Sequence, residues 1–233
     1  MRLDKYLSQA RNISRNQAHI HIRRGEVSVD GVVVKKLASP VATGARVELD
    51  GASVVLAGPR YLMLHKPLGY VCATSDGEHP TVLDLIPVAL QRDLHPAGRL
   101  DIDTSGLVLL SSDGQWTHRI TAPRRRCPKV YRVELAEPLV ADAEQRFTEG
   151  MLLRNESEPT RPAALQRLGP QSARVTLSEG RYHQVKRMFA ALGNRVVALH
   201  REQIGAVVLD ESLAPGEYRH LSAAEIAAFG SPT

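Results

Sequence analysis

Gly98-Arg99-Leu100-Asp101-Ile102-Asp103-Thr104-Ser105-Gly106-Leu107-Val108-Leu109-Leu110 is the stretch on which the reading of this chain turns. It passes from two acidic residues at alternate positions through a small polar Thr-Ser-Gly corner into an apolar, strand-like run. An extended chain rises by about 3.3 Å per residue and sends alternate side chains to one face, so Asp101 and Asp103 are expected to share a face. Two carboxylates on one face repel unless one enters a basic pocket or water. Taken alone, the stretch reads equally as a turn carrying two solvated aspartates. The rest of the chain decides between these readings.

The 233 residues are 43% hydrophobic and 24% charged, enough for one good core and a small extra module. With three Phe and one Trp, the core must be built mainly from Leu, Val, Ile and Ala. A formal net charge of +5 is compatible with a nucleic-acid partner without identifying one. Cys72 and Cys127 lack the spacing of a metal knuckle or a redox pair, and two thiols make no disulfide framework. The charged start, Met1-Arg2-Leu3-Asp4-Lys5, does not read as a secretory signal, and no apolar run is long enough for a bilayer. There is no Gly-rich phosphate loop, no His-Glu-x-x-His pair and no clustered ligand set, so neither a metal nor a cofactor is expected. These features describe a soluble protein of the reducing cytoplasm.

Outward toward the N-terminus, Leu3, Tyr6, Leu7 and Ala10 have helical spacing. Ser14 and Gln17 match a capping box opening a second helix, which Gly25 should stop after Arg24. Asp30-Gly31 between two valine-rich runs is a hairpin signal, and Arg46-Val47-Glu48-Leu49 fits a third strand. This unit of about 50 residues can fold alone, though marginally. Arg11, Arg15, Arg23 and Arg24 lie on or beside its second helix. Such a run is either a solvated face or a surface that tracks phosphates. Small residues from Asp50 to Ser53 and the pair Gly58-Pro59 suggest a hinge over 51–60, dividing residues 1–57 from 58–233.

In the larger part, Tyr61 to His65 reads as a strand, Lys66 to Tyr70 as a turn, and Thr81 to Ile86 as a short helix. Asp113 is placed to cap a helix over 113–120. From Gln115 to Val133 there is no acidic residue, while Arg119, Arg124, Arg125, Arg126, Lys129 and Arg132 all fall there; Pro123 and Pro128 make it a loop. Strands are expected at 130–135, 163–168, 173–177, 196–200 and 204–209, and helices at 140–149, 182–193 and from Ser222. Val185, Met188, Phe189 and Leu192 form the buried stripe of the 182–193 helix. That leaves Lys186 free to reach a carboxylate on a neighbouring strand. The pattern is α+β, with a mixed, mostly antiparallel sheet behind a small N-terminal module.

Arg2 to Leu7, Ser14 to Ala18 and Ile22 to Val33 together resemble the S4 RNA-binding domain. Leu64 to Tyr70, Gly98 to Leu107, Lys129 to Val133 and Glu179 to Phe189 resemble the motifs of the RluA/RsuA superfamily of RNA pseudouridine synthases. Gly98 at the head of Gly-Arg-Leu-Asp, together with the run Tyr182 to Phe189 and the tail Leu213 to Arg219, is similar to the RsuA-type branch. The resemblance spans essentially the full chain. It implies isomerisation of one uridine of small-subunit 16S rRNA, uridine 516, to pseudouridine in a ribonucleoprotein assembly intermediate, by a monomer without cofactor. It makes Asp101 rather than Asp103 the catalytic aspartate, Tyr131 the active-site tyrosine and Lys186 the cation paired with the aspartate. Lysine there is a point charge where much of the superfamily has arginine's fork. RNA contacts are expected from Arg11, Arg15, Arg23, Arg24, Lys66, Arg99, Arg124, Arg125, Arg126, Lys129, His183 and Arg187. Alternatives are a large-subunit rRNA synthase of the same branch, or a non-catalytic S4-type assembly factor, which should have lost Asp101, Tyr131 or Lys186. A carboxylate-pair glycosidase is disfavoured by the basic surface and by the lack of aromatic sugar platforms.

Overall fold

The capping chemistry of the first 50 residues sets the frame of the first unit. In the computed structural model, which describes residues 1–230, the Ser14 hydroxyl accepts from the Gln17 N–H at 3.2 Å and the Gln17 side chain accepts from the Ser14 N–H at 2.8 Å. Two orphan amides are satisfied at once, and α2 (Arg15–Arg24) runs from that box to Gly25, which takes a left-handed φ of 78°. With α1 (Leu3–Arg11) it packs Leu3, Leu7, Ala18 and Ile22 onto a four-stranded antiparallel sheet. The strands are β1 (Val27–Val29), β2 (Val32–Val33), β3 (Val47–Leu49) and β4 (Ala52–Val54), in the order β2-β1-β3-β4. The unit extends over Met1–Gly58.

One boundary differs from expectation. Asp50 and Gly51 are not the start of a hinge but the turn of the β3–β4 hairpin, with φ of 50° and 75°. Positive φ at both central residues matches the strand twist, as it does at Asp30 and Gly31. The connection therefore begins only after Val54.

The second unit, from Pro59 onward, is organised by a sheet whose path is β13-β5-β7-β11-β8-β10-β9. Its strands are β5 (Tyr61–Lys66), β6 (His95–Pro96), β7 (Ser105–Ser111), β8 (Lys129–Leu135), β9 (Ala164–Gly169), β10 (Ser172–Leu177), β11 (Val196–Ile204), β12 (Val207–Val208) and β13 (Tyr218–His220). Of these strand pairs only β7–β11 is parallel; β6 pairs with β7 and β12 with β11 at the margins. The helices are α3 (Val88–Gln91), α4 (Gly114–Thr121), α5 (Ala143–Glu149), α6 (Gln184–Ala191) and α7 (Ala223–Ala227). Among the described residues, no helix is long and apolar enough to cross a membrane.

Strand β7 shows how the core is split. Leu107 and Leu109 face Trp116 and Ile120 of α4, while Val108 and Leu110 face Leu62, Leu64, Val82 and Leu100 on the other side. A third cluster gathers Val133 and Val175 with Phe147, Met188 and Phe189. Tyr131 packs against both the cluster of Leu100 and that of Met188, so these two lie on one face of the sheet.

Two further expectations are corrected. Thr81 to Ile86 is a chain of turns rather than a helix, because the Asp84 carboxylate takes both the amide (2.7 Å) and the hydroxyl (3.1 Å) of Thr81. The two strands expected between 196 and 209 are one long strand, β11, with a short return in β12. Helices α5 and α6 begin two to three residues later than expected, at Ala143 and Gln184.

Candidate active site

Asp101 does not lie on a strand. The Thr104 N–H donates to the Asp101 carbonyl at 3.1 Å, closing a turn over Asp101–Thr104, and β7 starts only at Ser105. The two carboxylates meet not through strand alternation but because the turn brings both to one cation. Lys186 Nζ, in the first turn of α6, stands 3.2 Å from Asp101 Oδ2 and 2.5 Å from Asp103 Oδ1. His183 Nε2 approaches Asp101 Oδ1 at 3.5 Å. Burial works against the Lys186 charge, but its hydrogen bonds to Asp103 and Asp101 outweigh that and its pKa is raised. The Lys186 hydrogen bond likewise holds the Asp103 carboxyl below the usual range, against the opposing effect of burial. Asp101 itself is half-buried, whereas Asp103 is exposed. Tyr131 sits mid-strand in β8, opposite Arg201 on one side and Val175 on the other, with its ring half-buried.

The turn is held from below. Lys66, the last residue of β5, is fully buried, and its Nζ donates to the carbonyls of Pro67 (3.0 Å), Asp101 (3.1 Å) and Thr104 (2.7 Å). Gly69 N–H donates to the Ile102 carbonyl at 2.8 Å. Arg201, in β11, is 1% exposed; its Nε reaches the Leu107 carbonyl at 2.8 Å and its Nη1 the Arg99 carbonyl at 3.2 Å. Gly106 has a φ of 109°, and a Cβ there would lie 2.3 Å from the Arg201 carbonyl oxygen. The Thr-Ser-Gly corner thus ends in glycine because β11 passes too close for any side chain.

Residues 60–191 match the family model of RNA pseudouridylate synthase, and residues 1–47 match that of the S4 domain. The chain belongs to the RNA pseudouridylate synthase family. It is 53% identical over 233 residues to ribosomal small subunit pseudouridine synthase A of Yersinia pestis, covering 100% of this chain and 99% of that protein. The protein of the same name from Escherichia coli strain K12 is 52% identical over 228 residues, covering 97% and 99%. A crystal structure of a pseudouridylate synthase superposes with a TM-score of 0.72 at 46% identity, covering 98% of this chain and 99% of that one.

Within this pseudouridine synthase the residues expected to touch RNA fall into two groups. Arg99 and the trio Arg124, Arg125 and Arg126 are exposed, the trio on and just after a single 3-10 turn that follows α4. Arg11, Arg15, Arg23 and Arg24 are exposed in the first unit. His183 stands in the wall of the Asp101 site. The rest are engaged inside the protein. Lys66 is corrected from a phosphate contact to the buried anchor of the Asp101 turn, since all its donors face carbonyls. Lys129 Nζ donates to the Cys127 carbonyl at 3.0 Å, and burial lowers its pKa. Arg187 bonds Glu156 (2.8 Å) and the Arg154 carbonyl (2.6 Å), bracing the 154–156 loop. Arg201 went unnoticed in the sequence. Its one signal was a period of two from buried Leu199, which places an arginine on an inward position. Nor did the sequence bring together His21, Glu26 and Asp50, whose ligand atoms come within 4.8 Å of one another; there His21 Nδ1 already lies 2.6 Å from Glu26 Oε2.

Proposed function

We propose that this synthase converts one uridine of small-subunit 16S rRNA, uridine 516, to pseudouridine. It acts as a cytoplasmic monomer on a ribonucleoprotein assembly intermediate, with Asp101 as its catalytic carboxylate. The observation that carries the chemistry is the carboxylate of Asp101 held by Lys186 at 3.2 Å on a turn tied to the core by Lys66. The substrate reading rests on identity over the whole chain to relatives named for the small subunit. The reaction breaks the N1–C1′ bond, turns the base and forms a C5–C1′ bond; C5 gives up a proton and N1 gains one. No electrons are exchanged, so the isomerisation calls for no redox cofactor. A carboxylate beside the sugar can attack or stabilise developing positive charge, as in glycoside chemistry. Lys186 favours the charged form of Asp103 and fixes the geometry of both carboxylates. Tyr131 offers a flat face for the extruded base and a hydroxyl near it. Unstacking the uridine costs a few kcal/mol, offset by stacking in the site and by phosphate contacts from the exposed arginines, Arg124 to Arg126 and the α2 set.

The test is pseudouridine mapping in 16S and 23S rRNA, each assembled with ribosomal proteins and incubated with wild type or Asp101→Asn. A single modified 16S uridine, with a rate lower by about 10³-fold or more in Asp101→Asn, is expected. A signal in 23S rRNA alone would keep the reaction and overturn the substrate. Full activity in Asp101→Asn would overturn the catalytic role, and no product in any RNA would leave a binding protein.

A further inference from the structure

Tyr182 is the one aromatic among the large apolar side chains left exposed in the described residues, and 72% of it faces solvent. The chain has only three Phe, six Tyr and one Trp to place. The ring is not loose. It lies over the imidazole of His183 with centroids 3.8 Å apart and planes at 20°. His183 adopts a left-handed φ of 48°, a conformation uncommon for non-glycine residues, so the corner that carries the pair is fixed by the backbone. The backbone on both sides is tied down. The Arg181 N–H donates to Gln184 Oε1 at 2.9 Å, and its guanidinium donates to the carbonyls of Glu158 (2.8 Å) and Pro159 (2.6 Å). Arg187 Nη1 donates to the Tyr182 carbonyl at 3.2 Å. The result is a flat ring backed by a second ring, anchored by its backbone and open on its outer side.

Its position gives the pair a use. His183 Nε2 lies 3.5 Å from Asp101 Oδ1, so the stacked rings form a wall of the carboxylate site. The target uridine must bring its sugar to Asp101, and once it leaves its stack a neighbouring base loses a partner. We propose that Tyr182, backed by His183, is a stacking platform for the unpaired base next to the target uridine; the proposal rests on the function inferred above. Every nucleobase has a π face, so the platform contributes affinity and register rather than sequence choice. Stacking on an aromatic of this kind corresponds to roughly 10- to 100-fold in affinity.

The experiment compares wild type with Tyr182→Phe, Tyr182→Trp and Tyr182→Leu on 16S rRNA assembled with small-subunit proteins, reading KM and kcat for pseudouridine formation. Leucine keeps apolar bulk without a π face and is expected to raise KM roughly 10- to 100-fold with kcat changed by less than about 3-fold. Phenylalanine and tryptophan should restore KM. Filter binding of the same RNA to the four proteins in an Asp101→Asn background should give the same ranking without turnover. An unchanged KM in Tyr182→Leu overturns the platform. So does a fall in kcat at constant KM, which would make the ring a prop for His183 alone. Absence of pseudouridine with wild type would sink the proposed function instead. The binding ranking would then decide the platform, and Tyr182→Leu binding as tightly as its parent would overturn it.

Discussion

A lysine ammonium taken wholly out of water is costly unless its donors are all used. Lys66 uses three, and every acceptor belongs to the backbone around Asp101. Burial pushes its pKa below the usual lysine value, with weaker opposing contributions from Cys72, Asp103 and Asp101. The folded state therefore binds this proton less tightly than the unfolded chain. Stability rises with pH across the window that ends at the ordinary lysine value of 10.5. Lys66→Met keeps the apolar stem and removes both the donors and the titration. We expect kcat to fall by about 10²-fold as the Asp101 turn loses its anchor. The stability of wild type relative to Lys66→Met should increase as pH climbs toward 10.5, measured by urea unfolding at each pH. A wild-type advantage that shrinks with rising pH would contradict the burial argument. Nothing in the sequence distinguished Lys66 from a surface lysine, because its role exists only once β5 and β7 are paired and the turn is closed above them.

At the scale of elements, several caps, turns and stripes whose partners lie within a few residues were legible, while the Thr81–Asp84 turn and the Asp50-Gly51 hairpin were misread despite local partners. Ser14 with Gln17, Asp113 with the amides of Gln115 and Trp116, Asp30 with Gly31 and the Val185-Met188-Phe189-Leu192 stripe all act as the sequence implies. Two of the misreadings depended on distant partners. Arg201 to Gln203 is a polar run that is strand because β7 and β8 flank it. Asp101 and Asp103 converge through a turn held by Lys66 rather than through a strand face. The C-terminal edge shows how a distant ion pair fixes an element. Arg219 of β13 grips Glu225 of α7 with two nitrogens, at 2.7 and 2.9 Å, and Asp210 at 2.7 Å. Ser212 and then Arg219 hold the Asp210 carboxyl down at about 2. Arg219 is the main cause of the drop to about 2 at Glu225. Both folded pKa values lie below the free values of 3.8 and 4.5, so the contribution is complete above about pH 5 and is lost as pH falls toward 2. In thermal melts, Arg219→Met should melt below wild type at pH 7, and the gap should close as pH approaches 2. A constant gap would mean that the arginine acts by packing rather than by charge.

At the scale of the molecule, two units have separate cores, and each carries exposed arginines. That much was legible, because a charge run and a hairpin signal survive in the linear order. Which cations remain available was not: Arg187 looks like an RNA contact in the sequence, yet its partners are Glu156 and the Arg154 carbonyl. Two of the exposed sets are Arg15, Arg23 and Arg24 on α2 and Arg124, Arg125 and Arg126 after α4. If one RNA occupies both surfaces, each set neutralises phosphates of the same molecule and releases their counterions together. The slope of log affinity against log salt then counts both sets, at roughly 0.7–0.9 per phosphate contact. Changing either trio to serine should lower that slope by about 2–3. Changing all six should lower it by the combined amount if each set neutralises its own phosphates. The measurement is filter binding of assembled 16S rRNA over a salt series, with Asp101→Asn as the parent so that no product forms. If the α2 trio leaves the slope untouched, the first unit does not hold phosphate in this complex, and its basic face is a solvated one. If each trio lowers the slope but the sixfold variant goes no lower than one trio, the two units bind alternately, and recognition through both at once is wrong.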